Sequence, residues 1–281
     1  MFAPAEYVPA AYSLTAVGVW GASDFLGGLG ARRANVFLFT AIVHISGMVV
    51  FAALALMIRA PFPRGASVVW SLIAGSLGGI ALALFYRSLA SGNMGLVAPV
   101  AAVIGAAIPT IVTAFAQGIP GYWHLLGFVL AGVGVWLISR SEGSAGRPEG
   151  IGMAVLAGIG FAGFYLCIHQ AGDASALWVA ACSRSASLLV TGTIVLFGRY
   201  LRTVPAPVLA IAVVAGILDS TGSAVFIKAS QIGRLDDAVV LSSLYPAVTV
   251  VLARIFLREH FSRARTIGML AALAAVPMIA G

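Results

Sequence analysis

The sequence predicts an all-α membrane protein, with ten transmembrane helices arranged as two inverted five-helix repeats. Three observations predict it. The first is composition: of 281 residues, 61% are hydrophobic and only 9% charged, with a mean hydropathy of +1.05. A soluble domain carries roughly a quarter charged residues. The second is pattern. The apolar runs are about 20 residues long, which matches the hydrocarbon thickness of a bilayer. Inside lipid, backbone groups must be paired within the chain, so only helices or a closed barrel can span. The Ala/Leu/Val/Gly runs lack the strict alternation of barrel strands. The third is repetition. A shift of 141 places Ala74 on Ala215, Gly75 on Gly216, Phe85 on Phe226, Arg87 on Lys228, Gly92 on Gly233 and Gly127 on Gly268. An odd number of spans per copy makes the second copy enter the membrane from the opposite face. The copies are residues 1–140 and 141–281, forming one integral membrane domain.

The spans follow in order. Span 1 (10–31) carries Trp20 and Asp24 one turn apart, on one helix face. Span 2 (36–58) carries His44, and span 3 (67–91) ends on Phe85, Tyr86 and Arg87. Span 4 (95–116) contains Pro99, Gly105 and Pro109. Proline removes an intrahelical hydrogen bond, so these positions read as helix breaks or gating points. Span 5 (122–139) holds Gly127, Gly132 and Gly134, which permit close helix packing. The stretch from Ser139 to Gly150 is rich in Ser, Gly and Pro and reads as the linker between the copies. Span 6 (151–171) carries Tyr165, which the shift places on Asp24. His169 and Asp173 follow at its end, too few ligands for a metal site. Span 7 (175–198) carries Arg184, whose repeat position is Val43, the neighbour of His44. Span 8 (207–232) holds Asp219 near its centre, and Lys228. In span 9 (236–257), Ser242, Ser243 and Tyr245 precede Pro246, the repeat partner of Gly105. Span 10 (264–281) completes the second copy.

The net charge of +7 does not point to nucleic acid, because the basic residues stand singly at span ends, where they meet headgroups. Cys167 and Cys182 lie inside apolar spans and form no CxxC pair. The opening MFAPAEYVPA has no Lys or Arg, so no cleavable signal peptide is expected. Among loop arginines, nine follow odd-numbered spans and three follow even-numbered ones. The positive-inside rule then puts the odd loops in the cytoplasm and both termini outside.

Ionisable groups inside lipid are expensive, which makes each one a functional candidate. Asp24 and Asp219 offer carboxylates to an amine, and Arg184 offers a planar fork to a carboxylate. A site with both signs suits a zwitterion. The structural alternative is an ion pair of Arg184 with Asp219 or Asp24 that holds helices together. His44 reads either as a carrier of a coupling proton or as a helix–helix hydrogen bond. Trp20, Tyr86, Tyr165 and Tyr245 are candidate cavity walls, and Ser242 and Ser243 add hydroxyls beside the Pro246 break.

Several short motifs resemble a known family. Tyr245-Pro246 through Ala253, followed by Leu257-Arg258-Glu259 and Gly268, resembles the second repeat of EamA-type drug/metabolite transporters. Trp20-Gly21-Ala22-Ser23 and the stretch from Phe85-Tyr86 to Ala90 resemble its first and third helices. The chain departs from the pattern at Ala116–Gly121, which lacks the acidic residue usual there. The resemblance implies a secondary transporter that moves a small metabolite by alternating access, with amino-acid export as the leading case. It also implies cytoplasmic termini, against the loop charges. The expected partners are a small-molecule substrate and the lipid bilayer, with a proton as candidate coupling ion and no nucleic acid. No cofactor, metal or catalytic residue is expected, and the expected location is a bacterial inner membrane. The competing classes are a membrane-embedded enzyme and a non-transporting scaffold acting on lipid or a membrane partner. The loops are too short and too poor in His, Asp and Glu to build a catalytic cluster.

Overall fold

The computed structural model describes residues 7–91, 94–139, 150–257 and 263–280. These form helices α1 (Val8–Ala31), α2 (Val36–Met57), α3 (Ala66–Ala90), α4 (Met94–Gln117), α5 (Tyr122–Ser139), α6 (Ile151–His169), α7 (Ala176–Phe197), α8 (Ala206–Ile232), α9 (Leu235–Ser242), α10 (Tyr245–Leu257) and α11 (Arg263–Ala280). No strand occurs among the described residues. Gly92, most of the linker and Glu259 lie outside them. Seven stretches are long and apolar enough to cross a membrane: α2, α3, most of α4, α6, α7, α8 and the combined Leu235–Phe256. Apolar side chains also face outward along the helices, Phe115 at 90% and Phe197 at 86% exposure. Serines and threonines, by contrast, are buried between helices.

Local chemistry sets the helix ends. Asn35 caps α2, its Oδ1 accepting from the N–H groups of Phe37 and Leu38 at 3.0 and 3.3 Å. Both α2 and α7 are 22 residues long and end on an arginine in the left-handed region, Arg59 and Arg199, each at φ 53°. The same reverse bond closes each end, Ala60 N–H to the Ala55 carbonyl and Tyr200 N–H to the Val195 carbonyl, both 2.9 Å. These matched ends set the local shift between α2 and α7 at 140, not the 141 that holds elsewhere. The partner of Arg184 is therefore His44 itself rather than Val43, and one extra residue in the preceding loops accounts for the difference.

The expected ninth span is two helices. Leu244 N–H turns back to the Leu241 carbonyl at 3.2 Å, and the chain restarts as α10 at Tyr245. Pro246 has no N–H to continue the ladder, and it disfavours helical geometry in the residue before it. The Ser243 hydroxyl meanwhile donates to the Val240 carbonyl at 2.7 Å. The breaks expected at Pro99, Gly105 and Pro109 are not present: α4 runs continuously through all three. A membrane helix absorbs a missing N–H when its neighbours hold it straight, and α4 is held by α6, α9 and α5.

Small residues fix the packing. A Cβ on Gly75 of α3 would collide with the Ser183 carbonyl of α7, and one on Gly216 of α8 with the Val43 carbonyl of α2. The Ser187 hydroxyl donates to the Gly75 carbonyl at 2.6 Å. Helix α1 packs on α8 and α6 on α3; α2 packs on α7; α4 packs on α6 and α1 on α10; α5 pairs with α11. A second, smaller apolar cluster of Ala10, Val17, Ala131, Leu241, Leu244 and Ala275 docks the α5–α11 pair onto α1 and α9.

Contacts also join the connections in groups. Trp178 Nε1, at the start of α7, donates to the Ala60 carbonyl at 2.9 Å. Gln231 donates to the Gly172 and Ala174 carbonyls, and Arg234 to the Gly118 carbonyl at 3.3 Å. Those contacts join the loops after α2, α4, α6 and α8. Phe37 stacks on Tyr200, joining the loops after α1 and α7. The Ser88 hydroxyl donates to the Gly150 carbonyl at 2.7 Å, joining the end of α3 to the start of α6.

Candidate functional site: a charged cavity between α1, α3, α6, α7, α8 and α10

A small cavity, about 40 Å³ with the side chains as they stand, lies where these helices meet. Trp20 and Asp24 reach it from one face of α1, one turn apart. Arg184 enters from α7, and Asp219 and Ser223, again one turn apart, from α8. Tyr165 comes from α6 and Tyr245 from the first residue of α10, just past the break. Six of the expected site residues thus converge on one space.

Arg184 and Asp219 form an ion pair, Nη2 to Oδ2 at 2.8 Å, with both side chains almost fully buried. The same Nη2 donates to the Ser223 hydroxyl, whose own proton goes to the Asp219 carbonyl at 3.0 Å. With its N–H aimed at Ser223, the guanidinium meets Asp219 as a charge contact rather than a well-directed hydrogen bond, and its Nε has no partner. Trp20 Nε1 also donates to the Asp219 carbonyl, at 3.1 Å. Gly222 leaves room for that indole, because a Cβ there would strike it. Helix α8 is therefore tied to α1 and α7 at the level of the cavity.

Asp24 differs. It is 5% exposed, lines the cavity and has no hydrogen bond or ion pair among the described residues. It lies close enough to Asp219 to feel its charge. Arg184 is the one cation that lines the cavity.

The other expected residues sit behind the wall. Tyr86 is fully buried, its hydroxyl 3.2 Å from the Ser23 hydroxyl and its ring over Gly27. His44 is fully buried beside Gly79 and in the field of Arg184, with neither ring nitrogen in a well-formed hydrogen bond. Ser242 is buried with an unpaired hydroxyl, and Ser243 bonds its own helix. None of these four lines the cavity. Sequence reasoning missed Ser223, Phe85, Phe161, Phe164, Gly78 and Leu82, which do. The repeat held a signal for two of them: the 141 shift carries Trp20 onto Phe161 and Gly78 onto Asp219.

Comparison with known proteins agrees with this architecture. No curated protein matches the chain. A solved structure described only as "Crystal structure of protein" superposes with a TM-score of 0.75 at 17% identity, covering 96% of this chain and 97% of that one. At that identity the likeness speaks to the fold. Residues 148–281 match the model of the EamA-like transporter family. That match identifies the second half of the chain, just under half of its residues, as an EamA-like transporter family region of the drug/metabolite transporter superfamily.

Proposed function

We propose that the chain is a ten-span secondary transporter, built from two inverted five-helix repeats, that exports a small amine-bearing metabolite by alternating access. Amino acids and their amine relatives are the leading substrate class. A bacterial inner membrane is the proposed location. The observation that carries this reading is the cavity between the helices with Asp24, Arg184 and Asp219 on its wall. A scaffold has no use for an unpaired carboxylate among aromatic rings.

The packing supports the repeat. With shifts of 141 for α3 and α8, and 140 for α2 and α7, the Gly75–Ser183 contact becomes the Gly216–Val43 contact. Likewise Gly79 against Ser187 becomes Ser220 against Gly47. The grouping of loops supports ten crossings, since successive helices then begin at alternate ends. The α9–α10 break beside the cavity supports a central site, as half-helices border such sites in transporters built from repeats. Protons are the proposed coupling ion, with His44 as carrier.

Flux into liposomes tests the reading. Purified protein should move a labelled amino acid or amine, and Asp219→Asn should abolish movement while the protein still elutes as a folded monodisperse species. An imposed pH gradient should drive accumulation. A panel of amino acids, amines and sugars that shows no protein-dependent flux in either direction would sink the proposal.

A further inference from the structure

The charge balance and walls of the cavity narrow the substrate. The geometry points to a net monocation as the selected ligand: an ammonium group carried on an aromatic or bulky apolar body, without a free carboxylate. This rests on the transporter reading above and chooses among its amine-bearing substrates.

Among the described residues, two carboxylates and one guanidinium line the space. Arg184 is already engaged, in contact with Asp219 and bonded to Ser223. A substrate carboxylate at Arg184 would compete with Asp219 for the same guanidinium. Three carboxylates would then share one cation in a largely apolar cavity, and each uncompensated buried charge is costly. Asp24 needs no such displacement, because it faces the cavity with no partner. An ammonium that docks there leaves the Arg184–Asp219–Ser223 arrangement intact and brings the cavity to neutrality.

The rings suit the rest of such a ligand. Six aromatic side chains, Trp20, Phe85, Phe161, Phe164, Tyr165 and Tyr245, border the same space. Trp20 and Tyr165 are 6.0 Å apart, Phe85 and Phe161 5.5 Å. Their faces are electron-rich, so they attract a cation and stack on an apolar body.

Phenethylamine, phenylalanine and 3-phenylpropanoate share one ring and differ in charge, so they make the test. Binding to the purified full-length protein in detergent is measured by calorimetry. Phenethylamine should bind about tenfold or more tightly than phenylalanine, the weight of one charge-assisted contact, and 3-phenylpropanoate should not bind. Asp24→Asn should lose the amine without a drop in melting temperature, and Asp24→Glu should recover part of the binding. Phenylalanine binding as tightly as the amine overturns the inference, as does amine binding that survives in Asp24→Asn. If none of the three binds while liposomes move some other metabolite, the inference falls and the transporter reading stands. If the amine binds as expected but no substrate is moved, the transporter reading falls and the cation site stands.

Discussion

Two aspartates in one cavity have different work because they have different neighbours. Asp219 is held by Arg184 and its backbone carbonyl by Trp20 and Ser223, whereas Asp24 has none of these ties. Neutralising Asp219 strands the guanidinium, and breaking a buried pair from one side costs about 3–5 kcal/mol. Asp219→Asn should therefore melt well below the parent protein in detergent, while Asp24→Asn melts at or above it. Equal losses in both would show that Asp24 has a structural partner. The charged residues were legible in the sequence because a charge inside lipid demands a reason. The ring wall was not: Phe85, Phe161 and Phe164 look like ordinary apolar filling until the repeat shows that Phe161 corresponds to Trp20. His44 was legible as a buried ionisable group, but not its place outside the cavity, since one loop residue decides the α2 register.

At the scale of elements, helices appear close to the limits expected for the spans, and seven stretches are long and apolar enough to cross a membrane. What composition could not settle was which prolines break a helix. Pro109 and Pro246 look alike in sequence, yet only the second lies where serine hydroxyls bond the chain locally and a turn forms. Pro246→Ala restores an N–H and should let α9 and α10 fuse. The expected result is unchanged or higher melting temperature with lost transport; full transport would show that the break is incidental. The glycines make a paired prediction. Leucine at Gly75 or at Gly216 meets a carbonyl of the facing helix, so each should cost roughly 1–3 kcal/mol. The two should cost alike if their contacts are equivalent under the repeat, and a large difference in melting would argue against that equivalence. Asn35→Ala should cost about 1 kcal/mol through the lost α2 cap.

For the whole molecule, contacts join the loops after α2, α4, α6 and α8, and separately those after α1 and α7 and those after α3 and α5; the proposed ten crossings put the first group on one side and the other two groups on the opposite side. Arg64, between α2 and α3, and Arg202, between α7 and α8, are exposed members of different groups. In a background without Cys167 and Cys182, an impermeant maleimide on intact cells should label only one of Arg64→Cys and Arg202→Cys. The loop charges predict that one to be Arg64→Cys; labelling of both would contradict alternating crossings. Around the second groove, Arg33 and Arg202 line the surface with Tyr200 and Asn35, which places basic residues from two odd loops at one end of the molecule, as the positive-inside rule expects. On the proposed repeat, Trp20 corresponds to Phe161 and Asp24 to Tyr165, so a nearly symmetric scaffold would carry an asymmetric cavity in which Asp24 holds the ligand. The most direct test of that claim is counterflow. Liposomes loaded with unlabelled substrate should take up the labelled compound through the parent protein, and not through a correctly folded, reconstituted Asp24→Asn variant. Equal counterflow by the two proteins would contradict the account.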